Sequence, residues 1–336
     1  MNIRKKTLTL FGACMAILIM ILDSKTAFWG ASQGLNLCIY TVIPSLFPFF
    51  VFSQYLTSGL TGLKIRLLRP VMNACGVPEG GDSILIMGLV GGYPVGAQCI
   101  ANAYQNAELS RNDANRMLGF CNNAGPAFIF GMMSSMFENP LVPWVLWIIH
   151  ICSAILVGMI LPKKSRSKIT PNKTKAITLT DAVIRSIKAM AVVCCWVILF
   201  RILICFCSKW FLWILPVTYQ AIFTGALELV NGCQALRILN AEPLRFVLSA
   251  CFLSFGGFCV YLQTISVIGE LKSNVYLKGK LLQTYFSFVL SVMCSILLYH
   301  KISWMILAVL VILVIAFIVI YYMIFSNSRK KEVAFT

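Results

Sequence analysis

The sequence predicts an all-α polytopic membrane protein: about eight full transmembrane helices plus two broken or re-entrant helical segments, in an internal two-fold repeat. Three observations carry this. The 336 residues are 59% hydrophobic and 12% charged, against about 25% charged in soluble domains. Apolar stretches of span length recur ten times. Two of them are interrupted by glycine pairs in matching surroundings.

The first stretch, 7–22, follows Arg4, Lys5 and Lys6. It lacks a clean small-x-small cleavage motif and reads as an uncleaved helix, with a removed signal peptide as the lesser alternative. Stretch 33–57 follows. Stretch 84–104 contains GLVGGYPVGAQ (88–98), with Gly88, Gly91, Gly92, Gly96 and Pro94 inside nine residues. Each glycine costs a helix interior about 1 kcal/mol and proline about 3. Close helix packing would explain the glycines. Pro94 favours a helix that breaks and presents its backbone to protein or a watered cavity.

QNAELSRNDANRM (105–117) carries mixed charges and reads as a solvated helix, with Ser110 as N-cap and Asp113 at the capping-box position. Stretch 117–137 opens with GFCNNAGP, placing Asn122 and Asn123 in apolar surroundings before Gly125-Pro126. Buried amides need partners: other helices, the backbone freed at Pro126, or a polar ligand such as a nucleobase or sugar. In stretch 141–161, His150 reads as a packed group rather than a ligand. Stretch 189–207 holds Arg201, and 211–232 holds Glu228. An intramembrane carboxylate is a functional candidate, although Arg237 nearby allows an interfacial placement. If the chain turned near Ser208–Lys209, the two charges would differ in depth by about 16 Å of helix, too far for a direct pair. Stretch 246–268 holds FGGFCVYLQ, and 282–299 and 303–325 complete the set.

Three basic runs belong in the cytoplasm by the positive-inside rule: Arg4–Lys6, 163–175 and Arg329–Lys331. Ten crossings would put the middle run opposite the two ends. Removing one crossing from each half repairs this, and 84–104 and 246–268 are the broken candidates. Gly91, Gly92, Tyr93, Val95 and Gln98 align with Gly256, Gly257, Phe258, Val260 and Gln263. A basic triplet follows each, at Arg116 and Lys280. Paired Gly/Pro-interrupted segments point to a transporter's binding site.

The net charge of +17 is assigned to span flanks rather than to nucleic acid. The fourteen cysteines lack zinc spacing and mostly sit in apolar segments. No G-x-S-x-G, Walker or H-E-x-x-H pattern occurs. The expectations are therefore no enzyme activity, no metal and no cofactor.

LFPFFVFS (46–53), GGYPVGAQ (91–98), RMLGFCNNAGPAFI (116–129), GALELVNG (225–232) and SFGGFCVYLQ (254–263) together resemble the sporulation integral membrane proteins of endospore-forming Firmicutes. These carry the nucleoside-recognition, or Gate, domain, shared with spore maturation membrane proteins, concentrative nucleoside carriers and ferrous-iron transporters. The resemblance covers roughly 30–325. It implies a role in making the spore cortex, and transport of a small polar, nucleoside-like solute. Substrate-binding candidates are Gly91, Gly92, Tyr93, Pro94, Gly96, Gln98, Asn122, Asn123, Gly125, Pro126, Glu228, Asn231, Gly256, Gly257 and Gln263.

The implied organisation is an anchor helix (1–30), a first Gate-like repeat (31–162), a basic cytoplasmic loop (163–188), a second repeat (189–325) and a basic tail (326–336). Both termini are expected in the cytoplasm. Partners would be membrane lipid, the solute, and a second copy or other sporulation membrane proteins, with no nucleic acid. Nucleoside carriers use inverted repeats, whereas the charge count puts both broken segments on one face. Making 117–137 the re-entrant segment of the first half is the alternative repair.

Overall fold

The computed structural model describes residues 3–60, 65–162, 169 and 177–299. Stretch 303–325, the tail, most of the 163–175 run and the side chains of Arg4–Lys6 lie outside the described residues.

Helices α1 (Ile3–Leu22) and α2 (Ser24–Leu37) meet at Asp23, which caps α2 by accepting from the Thr26 amide at 3.3 Å. The Lys209 ammonium also bonds Asp23 and holds its carboxyl below the usual carboxylate range. After α2 the helix widens into a π turn at Cys38–Val42, then continues as α3 (Ile43–Leu60). Pro44 and Pro48 supply no amide donors there, and a proline ring crowds the carbonyl four residues back. Short α4 (Arg69–Cys75) ends at left-handed Gly76, and its last carbonyls receive the Arg116 guanidinium.

Helices α5 (Asp82–Val90) and α6 (Val95–Gln105) form a hairpin. The chain reverses over Gly91–Pro94, where Gly92 has φ +81° and Val95 donates to the Gly92 carbonyl at 2.8 Å. A Cβ on Gly96 would lie 2.9 Å from the Gly88 Cα, so the two arms touch backbone to backbone. Helix α7 (Arg111–Leu118) starts at Ser110, whose hydroxyl accepts from the Asp113 amide. The chain is then non-helical until α8 (Pro126–Met132), which Pro126 opens with its fixed φ. Helix α9 (Val142–Ile160) follows.

Helix α10 (Leu179–Trp210) begins at a Thr178/Asp181 capping box. It lies along α2 at Gly30-x-x-x-Gly34, where added Cβ atoms would sit 2.8 Å from the Ile202 and Ile198 Cα atoms. Helices α11 (Val217–Leu227) and α12 (Leu229–Leu236) form a second hairpin about Glu228. A Cβ on Gly232 would come 2.2 Å from the Gly225 Cα, so this segment also folds back on itself. Helix α13 (Glu242–Phe255) stops at left-handed Gly256, and α14 (Gly257–Ile268) resumes at once. The two halves keep different company: α13 runs along α15 (Ser273–Tyr299) and α9, while α14 runs along α6, α10 and α11.

Five helical stretches are long and apolar enough to cross a membrane: 24–56, 142–160, 179–210, 242–268 and 273–299. Leu8, Phe11, Phe28, Trp29 and Leu199 are exposed on the outer helices, as lipid contact requires. Phe50, Phe246 and Leu253 pack one part of the core, and Ile100, Phe120 and Phe286 another. The chain is a multi-pass helical membrane protein, and no β-strand is among its described residues.

Three expectations are corrected. Interruptions number four rather than two, because 117–137 and 211–232 are broken as well. The segment that folds back in the second half is 217–236, and 246–268 continues past its break into a new environment. The alignment of Gly91 with Gly256 therefore joins a hairpin tip to an in-line break, and the basic triplets fall on the non-equivalent helices α7 and α15. Helix α10 begins at Leu179 after its Thr178 cap, and residues 30 and 31 both lie within α2.

Candidate functional site

The four interruptions meet. A Cβ on Gly125 would stand 3.1 Å from the Gly92 Cα, and one on Gly256 3.4 Å from the Tyr93 ring. A Cβ on Gly257 would stand 3.0 Å from the Leu227 carbonyl oxygen and 3.1 Å from the Glu228 nitrogen. The α13–α14 break is thus pressed between both hairpin tips. Gly257 has φ +80°, a conformation that costs other residues about 1–2 kcal/mol. Gly257→Ala should lower stability by at least about that amount, read as a lower thermal midpoint in detergent.

The adjacent asparagines hold this junction. Asn122 Oδ1 accepts from the Ala97 amide at 3.2 Å, and its Nδ2 donates to Thr264 Oγ1 at 3.0 Å. Asn123 Nδ2 donates to the Gly88 and Phe120 carbonyls, both at 2.7 Å. Its Oδ1 accepts from Lys280 Nζ at 3.2 Å and Gln283 Nε2 at 2.8 Å. Lys280 is 1% exposed. Its ammonium also donates to Tyr93 Oη at 3.1 Å and Gln283 Oε1 at 2.7 Å. Tyr93 Oη in turn donates a hydrogen bond to the Leu253 carbonyl at 3.1 Å.

His150 completes the polar core. Its Nε2 accepts from the Ala124 amide at 3.0 Å, so Nδ1 carries the proton and donates to Ser254 Oγ at 3.2 Å. Ser254 bonds Ser287, Ser287 bonds Ser153, and Ser153 donates to the His150 carbonyl at 2.9 Å. The ring closes on itself, so His150 is a packed, satisfied residue.

At the second tip, the Glu228 carboxylate caps α12. It accepts from the Val230 amide at 3.0 Å, the Asn231 amide at 2.7 Å and Asn231 Nδ2 at 2.6 Å. Arg201 Nη1 donates to Asn231 Oδ1 at 3.2 Å, so Asn231 stands between the two charges. The straight-hairpin estimate separated them. The folded-back α12 brings them within one side chain of each other.

A cavity of about 40 Å³ lies among Gly92, Tyr93, Gly125, Glu228, Val230 and Gln263. A wider open cleft of about 440 Å³, lined by Lys25, Trp29, Arg201 and Lys209 among others, lies between α2 and α10. The smaller cavity is the candidate site because all three chain reversals and breaks that face it contribute walls.

The expected residues sort accordingly. Gly92, Tyr93, Gly125, Glu228 and Gln263 line the cavity. Asn122, Asn123, Asn231, Gly256 and Gly257 hold its walls. Gly91 ends α5, Pro94 caps α6 and Pro126 opens α8. Gly96 is a packing seam, and Gln98 is half-buried on α6 outside the cavity lining. Sequence reasoning missed Lys280, Gln283 and Thr264. The signal for Lys280 and Gln283 was a stripe on α15, Tyr276, Lys280, Gln283, Ser287 and Ser291, at the three- and four-residue spacing of one helical face, whereas Thr264 lies on α14.

Hairpins and interrupted helices meeting at buried polar groups, inside a shell of apolar helices, define a polytopic membrane protein with an internal polar site. Over 152 residues, 44% of the chain, the sequence is 32% identical to the sporulation integral membrane protein YlbJ of Bacillus subtilis strain 168. The matched stretch spans 37% of that protein's length. No family model matches the chain, and no solved structure matches it.

Proposed function

We propose that the chain is a sporulation-associated membrane protein of the nucleoside-recognition, or Gate, type. In this reading it is a secondary transporter or permease for a small polar solute, needed for spore cortex formation in the mother-cell or forespore membrane. The sporulation assignment rests on the name of its relative. The transport reading rests on one observation: two hairpin tips, the break before α8 and the side of α14 line a cavity that carries a buried carboxylate and an amide. Free backbone groups at such breaks can replace water around a solute. At about 40 Å³ the cavity admits little more than water, so passage of a solute requires the tips to part. No enzyme chemistry and no cofactor enter this reading.

The proposed topology has eight crossings and two re-entrant hairpins, now 82–105 and 217–236. Four crossings before residue 163 and four after it keep all three basic runs in the cytoplasm. The hairpins then enter from opposite faces, and the order of long helix, hairpin, broken helix, long helix occurs twice as an inverted repeat. The charge count and inversion no longer conflict.

The test is uptake of labelled nucleosides, sugars and amino acids into vesicles holding the full chain, Glu228→Gln or Gln263→Ala. Uptake by the parent above empty vesicles, reduced at least about tenfold in either variant, is expected. Parent vesicles that accumulate nothing, or variants that match the parent, would overturn the reading. The alternative is a non-transporting scaffold that binds further copies or other sporulation membrane proteins. It is favoured by the glycine seams at Gly30/Gly34, Gly88/Gly96 and Gly225/Gly232. Under that alternative, Gln263→Ala leaves spore cortex formation intact.

A further inference from the structure

Lys280 carries a buried amino group whose three partners are all neutral oxygens. Each orientation is fixed by an independent bond. Asn123 spends its amide hydrogens on the Gly88 and Phe120 carbonyls, leaving Oδ1 toward Lys280. Gln283 donates to Asn123 Oδ1 and to the His150 carbonyl at 3.2 Å, leaving Oε1 toward Lys280. Tyr93 donates to the Leu253 carbonyl, leaving its oxygen lone pairs toward Lys280. Three acceptors require three N–H donors, which an ammonium has and a neutral amine lacks.

The three oxygens come from three separate elements: the first hairpin tip, the first broken helix and α15. Two aromatic faces add to them, with Nζ 5.0 Å from the Tyr93 ring centre and 5.9 Å from that of Tyr276. Buried charge is costly unless polar groups replace its water. This cage is built to hold one positive charge at N···O spacings of 2.7–3.2 Å.

We propose that the cage of Tyr93, Asn123 and Gln283 is a monovalent-cation site, and that its resident cation is the chain's own Lys280 ammonium. The tethered charge does what a bound ion would do, pulling hairpin, broken helix and α15 together. The intact protein therefore needs no free Na⁺, K⁺ or NH₄⁺ at this junction. Shortening the side chain vacates the cage and turns it into an ordinary ion site. NH₄⁺ is the best-fitting occupant because its N···O spacing is that of the lysine it replaces.

The inference goes beyond the solute reading, and its test uses no solute, so either can fail alone. Full-length parent and Lys280→Ala are purified in detergent, and thermal midpoints are recorded in choline, sodium, potassium and ammonium chloride at equal ionic strength. The parent should give one midpoint in all four salts. Lys280→Ala should melt lower in choline and regain at least about 3 °C, saturably, in ammonium, since an ion that binds only the folded state stabilises it. Lys280→Met, which fills the cage with an apolar stem, should melt low in every salt. If Lys280→Ala gives no folded protein, Lys280→Ser is read by the same comparison. A small-residue variant whose midpoint is the same in all four salts would overturn the proposal, as would a parent stabilised selectively by one cation.

Discussion

Replacing Asn123 by alanine is expected to destabilise the protein by about 3–5 kcal/mol, the most of any single polar substitution at the junction. The side chain satisfies two backbone carbonyls and accepts from both Lys280 and Gln283. Each buried group left without a partner costs about 1–3 kcal/mol. A hydrogen bond to a charged group is itself worth about 1.5–3 kcal/mol. The neighbouring Asn122 is equally buried, but its bonds run to an amide and two hydroxyls. Asn122→Ala should therefore cost less, about 1–3 kcal/mol. Unfolding of both variants in mixed micelles, followed by tryptophan fluorescence, ranks them. Equal losses would mean that the ammonium adds nothing to the role of Asn123.

Gly232→Ala should open the second hairpin, at about 3 kcal/mol, the upper end of ordinary overpacking. The new methyl would stand 2.2 Å from the Gly225 Cα, and backbone cannot rotate away as a side chain can. Gly225 gives no room either, since a Cβ built on it would strike the Phe252 ring. The arms must separate, and Glu228 must leave the Gly257 break. Gly12→Ala is the matched control: nothing lies within 4 Å of its added methyl, and helix propensity favours the change by up to about 1 kcal/mol. Cysteine cross-linking between the hairpin arms should slow in Gly232→Ala alone. An unchanged midpoint and cross-linking rate would refute the close approach of α11 and α12.

The first hairpin was legible because its tip is made of residues that announce a turn, Gly92 and Pro94. The second tip hides its nature. Glu228 adopts an extended conformation and caps the next helix with its own carboxylate, so no Gly-Pro signature is needed. The visible clue was a pair of glycines three or four residues either side of each tip. Gly88 and Gly96 flank Gly92, and Gly225 and Gly232 flank Glu228, in each case where two antiparallel arms touch. FGGF drew the re-entrant assignment instead because two left-handed glycines serve a kink as readily as a reversal.

The asparagine pair and Glu228 were readable as polar groups in apolar stretches, and the structure puts Glu228 on the cavity and the asparagines behind its walls. Lys280 was hidden for the opposite reason. A lysine in the first third of a membrane helix ordinarily faces the headgroups. Only the depth of α15 in the bundle, with Gly279 against the Gly119 backbone, turns it inward.

The glycine pair at 256–257 touches Tyr93 on one side and the Glu228 amide on the other. Neither tip, then, has a wall of its own. Under the proposed transport reading, the two tips share one post, and moving either one would change the contact that the kink offers the other.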